Sequence, residues 1–90
     1  MKKTAGRVRL WILRPIEGLV NDPWKPSYDK AHGFIVRAAT EMEARKMVDG
    51  MGGDEEKEAK QPWFDRRYST CKELKPAGKA GLIMMDFNAA

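Results

Sequence analysis

Residues 33–51 read Gly33-Phe34-Ile35-Val36-Arg37-Ala38-Ala39-Thr40-Glu41-Met42-Glu43-Ala44-Arg45-Lys46-Met47-Val48-Asp49-Gly50-Met51, and their periodicity changes part-way. Over 33–38 apolar residues dominate, with Phe34 and Val36 on one face and Ile35 and Arg37 on the other, which predicts a strand. From Thr40 the pattern becomes Thr-x-x-Glu, a capping box. The Thr40 hydroxyl can take the amide of Glu43 while the Glu43 carboxylate reaches back to the Thr40 amide. Ala44, Met47, Val48 and Met51 then fall at i, i+3, i+4 and i+7, the buried stripe of an amphipathic helix. Glu41 and Arg45 form an i, i+4 pair on its other side. Gly50, Gly52 and Gly53 end it.

Working outward, Arg7-Val8-Arg9-Leu10-Trp11-Ile12-Leu13 alternates at its start and predicts the first strand. The polar arginines suggest Val8, Leu10 and Ile12 inward and Arg7, Arg9 and Trp11 outward. Pro15 closes it. Residues 14–32 form a long connection punctuated by Pro15, Gly18, Pro23 and Pro26. Ile16, Leu19, Val20, Trp24 and Tyr28 give it enough apolar groups to be held in place. Beyond the helix, 52–62 reads as an acidic, polar loop. Tyr68–Leu74 predicts a third strand, although Cys71 and Leu74 fall at helical spacing, which a bulge or a helical turn would reconcile. Gly81–Phe87 predicts a fourth strand, turning back after Pro76-Ala77-Gly78-Lys79. The expected fold is one α+β domain over residues 1–90: a mainly antiparallel four-stranded sheet with one helix on one face, in the order β-β-α-β-β.

Composition excludes several classes. Ninety residues make one small domain with a thin core, and 42% apolar with 33% charged residues suits a globular protein. No apolar run is long enough for a membrane-spanning helix, and the basic start does not read as a signal peptide. Cys71 is the sole cysteine, so it has no internal disulfide partner and anchors no zinc site by itself. His32 is the sole imidazole, and nothing places it beside Cys71 as a nucleophile–base pair. The acids show no metal-ligand spacing, and the glycines follow a helix instead of preceding one as a phosphate loop does. The residues therefore predict no catalytic group, no metal and no cofactor.

The net charge of +4 is uneven. Residues 1–37 hold eight bases against three acids, 38–64 four against seven, and 65–90 five against three. The run Asp54-Glu55-Glu56 reads as a solvated loop, or else as a mimic of phosphate charge facing an Arg-rich partner. With one helix on one side, the other side of the sheet would present Arg7, Arg9, Trp11, Ile35 and Arg37, joined by Lys72. Bases interleaved with an aromatic suit a protein interface, or single-stranded nucleic acid through stacking and phosphate contacts. The third alternative is that residues 14–32 fold over this face and bury Trp11. Two Pro-Trp segments, Pro23-Trp24 ahead of Tyr28 and Pro62-Trp63 ahead of Arg66, Arg67 and Tyr68, are either recognition loops or plugs at the two ends of a thin core.

The stretches 33–45, 68–74 and 81–87 are similar to small accessory proteins of bacteriophages and integrated elements. The resemblance implies a non-enzymatic protein of the anti-CRISPR kind, acting in the bacterial cytoplasm. Such a protein occupies a surface of a larger protein or ribonucleoprotein complex. The alternative expectation is a small RNA- or single-stranded-DNA-binding module using the basic and aromatic face. The open face could also pair two copies as a homodimer. The residues on which contact is expected are Arg7, Arg9, Trp11, Arg37, Trp24, Tyr28, Trp63, Arg66 and Arg67.

Overall fold

A computed structural model of the chain describes residues 7–20, 22–26 and 29–82. Its elements are β1 (Arg9–Pro15), β2 (Phe34–Ala38), α1 (Glu41–Val48), α2 (Glu55–Glu58) and β3 (Ser69–Leu74). The strands form an antiparallel sheet in the order β2-β1-β3. Among the described residues the architecture is thus α+β, with a three-stranded sheet and two helices. Of the expected fourth strand Gly81–Phe87, Gly81 and Leu82 are not in a strand, and 83–87 lie outside the described residues. The short α2 occupies part of what read as a plain loop.

The first strand faces the opposite way from expectation. Trp11 (9% exposed) and Leu13 lie in the core, together with Ala38, Ala44, Val48, Trp24 and Trp63. Leu10–Leu13 is apolar at both parities, so alternation alone cannot choose a face, and a one-residue shift exchanges the two. The choice goes to the side that buries the indole, whose Nε1 donates to the Ala38 carbonyl at 2.9 Å. Of the 14–32 connection, Trp24 belongs to the same core cluster as Trp11, and Ala31 packs against that cluster. β3 keeps regular register with β1 from Ser69 to Leu74, so the helical spacing of Cys71 and Leu74 needs no bulge.

α1 forms where the capping box predicts. The Glu43 amide donates to Thr40 Oγ1 at 3.2 Å, but the Glu43 carboxylate takes the amide of Ala39 rather than that of Thr40. The buried stripe is narrower than its spacing suggests. Ala44 and Val48 are buried, while Met47 and Met51 are 51% and 63% exposed. Arg45 occupies part of the space instead, at 4% exposure. Gly50, at φ +85°, takes the left-handed position that ends the helix.

The two Pro-Trp corners meet each other instead of plugging separate ends. Trp24 and Trp63 lie 4.8 Å apart between ring centroids, and Phe34 stands edge-on to Trp63 at 4.9 Å. Trp24 Nε1 donates to the Tyr68 carbonyl at 3.1 Å, and Trp63 Nε1 to Glu55 Oε2 at 2.7 Å. Glu55 is fully buried, contrary to the solvated-loop reading. Among the described residues no cation forms an ion pair with it. Its carboxylate accepts instead from Trp63 Nε1 and from the amides of Gly53 and Ala31. Hydrogen bonds to a charged acceptor are the strong kind, and three of them offset much of the desolvation.

Candidate interaction face

Register defines the side of the sheet turned away from α1. Leu10 stands between Arg37 and Leu74, Ile12 between Ile35 and Lys72, and Arg14 beside Thr70. Four of these eight residues are aliphatic and three are cationic. Ile35 is 52% exposed and Leu10 37%, while Arg37 and Lys72 are also exposed. Antiparallel sheets with one wet face usually show polar residues there. This one shows leucine and isoleucine, the mixed character that marks a contact surface. Among the described residues no acid lies on this face, and no ion pair engages Arg14, Arg37 or Lys72.

Arg14 is the best-seated of the three cations. A Cβ placed on Gly33 would come 3.1 Å from Arg14 Cδ, so the missing side chain leaves room for the arginine stem. The Arg14 Nε is buried and has no hydrogen-bond partner among the described residues.

The expected contact residues separate into distinct places. Arg37 lies on the open face, and Lys72 joins it. Trp11, Trp24 and Trp63 are core residues, which removes the indoles as contact anchors. Arg9 belongs to the helix side, at the rim, 3.6 Å from Glu73. Arg7 is exposed just ahead of β1, and Tyr28 lies outside the described residues.

Arg66 and Arg67 are exposed but occupied, on the loop that leads into β3. Arg66 pairs with Glu41 at 3.3 Å. Arg67 meets both carboxylate oxygens of Asp65 and lies 5.6 Å from the centre of the Tyr68 ring. These hydrogen bonds from Arg67 come first among the forces that hold the Asp65 carboxyl below its ordinary range. Beside them a shallow groove of about 360 Å³ is lined by Glu41, Met42, Arg45, Phe64, Asp65 and Arg66.

Leu10, Ile12 and Arg14 were missed as surface residues because the parity of β1 was inverted, and Leu74 because its helical spacing from Cys71 left the faces of β3 undecided. The sequence signal that could have found them is the pair Trp11 and Leu13, whose combined volume exceeds that of Leu10 and Ile12. His32 is exposed and Cys71 half-buried on the core side. Among the described residues no cluster of His, Cys, Asp and Glu could hold a metal, and no helix is long and apolar enough to cross a membrane. Comparison with family models, with curated proteins and with solved structures finds no match.

Proposed function

We propose that this chain is a non-enzymatic binding protein that docks a larger protein through the open face of its sheet. One observation carries this: among the described residues of that face, four aliphatic residues interleave with three cations that no ion pair engages, and no acid is present. Aliphatic groups supply burial, and the cations orient and select an acidic partner. The finer reading, a phage-encoded inhibitor that occludes a CRISPR-type defence complex in the host cytoplasm, draws on the resemblance of 33–45, 68–74 and 81–87.

A fourth strand within 83–87, the part of the expected 81–87 strand outside the described residues, belongs to the same proposal. Ile16 donates to the Tyr68 carbonyl, so alternation along β3 turns the backbone groups of Cys71 and Glu73 away from β1. That is the edge such a strand would extend, and slow amide exchange at Cys71 and Glu73 would support it.

A nucleic acid is the competing partner, since three cations could follow a phosphate backbone. Against it, the face has no aromatic ring among its described residues, and stacking is what makes single strands bind with useful affinity. The test compares Ile35→Glu with Arg37→Glu, Arg67→Glu serving as control. The reading expects the partner recovered from the native host to be lost with the two face variants and kept with the control. Retention by both face variants would remove the open face as the contact. So would retardation of random single strands with a log–log salt slope of about 0.7 per phosphate.

A further inference from the structure

We infer that the occupant of the open face is an acidic amphipathic α-helix of the partner, laid across the strands as a third layer. This rests on the preceding reading that the open face is the contact surface.

The register fixes the spacing of the charges. Neighbouring strands stand about 4.8 Å apart and same-face residues along a strand about 6.8 Å. On that grid the Cα atoms of Lys72 and Arg14 are roughly 8 Å apart, those of Arg37 and Lys72 roughly 12 Å, and those of Arg37 and Arg14 roughly 14 Å. Ile12 sits inside this triangle, with Leu10 and Ile35 close by. A helix offers carboxylates about 6 Å apart at i, i+4 and about 10–12 Å at i, i+7 or i, i+8. Flexible glutamate and lysine side chains cover the remaining difference, and the aliphatic stripe between such carboxylates would fall on Ile12, Ile35 and Leu10.

Other occupants fit less well. A second copy of this face would bring its own arginines and lysine against Arg14, Arg37 and Lys72, so like charges oppose pairing of two open faces. A single strand of nucleic acid would meet branched aliphatic side chains where it needs rings. A helix is also what the opposite side of this sheet already accepts, since α1 packs on all three strands. Arg14 suits a carboxylate in particular. Its stem lies in the space left by Gly33, so less side-chain freedom is lost on binding.

The experiment titrates the full chain, followed by amide chemical shifts, with a synthetic amphipathic peptide of about eighteen residues, roughly 27 Å when helical. Leucines form one stripe of the peptide and glutamates flank it. A scrambled peptide of the same composition and a random single-stranded oligonucleotide are run beside it. Shifts should concentrate on Leu10, Ile12, Ile35, Arg37 and Lys72, and the peptide should gain helicity on binding. The scrambled peptide should bind at least about tenfold more weakly, as should Ile35→Glu and Lys72→Glu variants whose tryptophan fluorescence matches the parent. Equal binding of the scrambled peptide, tighter binding of the oligonucleotide, or shifts centred on Met42 and Phe64 would overturn the inference. If no peptide binds while partner recovery still depends on Ile35 and Arg37, this inference fails and the contact-face reading stands. If recovery is indifferent to both residues, the contact-face reading fails as well.

Discussion

Replacing Arg45 by alanine tests what holds the helix layer to the sheet. The guanidinium donates through Nε to Glu41 at 2.8 Å and through one terminal nitrogen to the Trp63 and Phe64 carbonyls and to Ser69 Oγ. The other terminal nitrogen reaches the Ser69 carbonyl at 2.9 Å. The Trp63 carbonyl also accepts from Ser69 Oγ, so truncation strands chiefly the carbonyls of Phe64 and Ser69. A buried group left unsatisfied costs about 1–3 kcal/mol, so two of them cost about 2–6. Two lost methylenes add about 1.5 kcal/mol, while release of a desolvated cation offsets part of the sum. The expected loss is about 3–5 kcal/mol, a large share of the roughly 5–13 kcal/mol available to a domain of this size. Urea unfolding followed by the fluorescence of the buried tryptophans should show a midpoint lowered by about 2–3 M at an unchanged slope near 1.5 kcal/mol/M. Arg45→Lys should fall between, because an ammonium keeps the charge and loses the planar fork. Glu41→Gln should cost at most about 1 kcal/mol, since that carboxylate is partly exposed. If Arg45→Ala lies within about 1 kcal/mol of the parent, the contact is an ordinary surface i, i+4 pair and the reasoning is wrong.

Three further outcomes follow from the same geometry. Gly53→Ala should destabilise more than Gly50→Ala under the same denaturant assay: a Cβ at Gly53 would overlap the Asp29 backbone carbonyl, whereas Gly50 has open space and only its positive φ to oppose alanine, a cost of about 1 kcal/mol. Asp22 and Asp65 both sit below the ordinary carboxyl value of 3.8. For Asp22 burial pushes upward, but the amides of Trp24, Gly18 and Lys25 and the charge of Lys30 outweigh it. Their stabilisation is therefore complete above that value and lost as pH falls through their lower folded values, so Asp22→Ala and Asp65→Ala should flatten an acid-unfolding curve that is level at neutral pH. Burial also raises the Cys71 thiol, so iodoacetamide should label the folded chain at pH 7.5 far more slowly than the urea-unfolded chain. Equal rates would refute it.

What could be read from the sequence was local. Thr40 and Glu43 sit three residues apart, and a cap is a contact between near neighbours, so α1 and its start were legible. So were β2 and β3, bounded by Gly33 and Tyr68. The face of β1 was not, because Leu10, Trp11, Ile12 and Leu13 are all apolar and only β2 and β3 decide between them. Arg45 shows a second kind of failure. Its partners Trp63, Phe64 and Ser69 lie 18–24 residues away, so the i, i+4 pattern with Glu41 was visible and the burial that changes its meaning was not. Glu55 failed in the same way. An acidic run looks solvated until the indole of Trp63 and the amides of Gly53 and Ala31 are brought to it by the fold.

These failures share a cause that bears on the contact surface. A thin domain must spend its largest side chains on its core, and here all three tryptophans go there, each with its indole N–H satisfied. That leaves the second side of the sheet with smaller aliphatic residues. Among its described residues this face then has no ring on which single-stranded nucleic acid could stack, while Arg37 and Lys72 are exposed to water. Burial of Trp11 therefore does not abolish the open face as a place of contact; it changes what the face can hold. Leucine, isoleucine and unpaired cations complement a surface that alternates aliphatic groups with carboxylates, and exchanging Ile35 for glutamate reverses both halves of that complementarity at one exposed position.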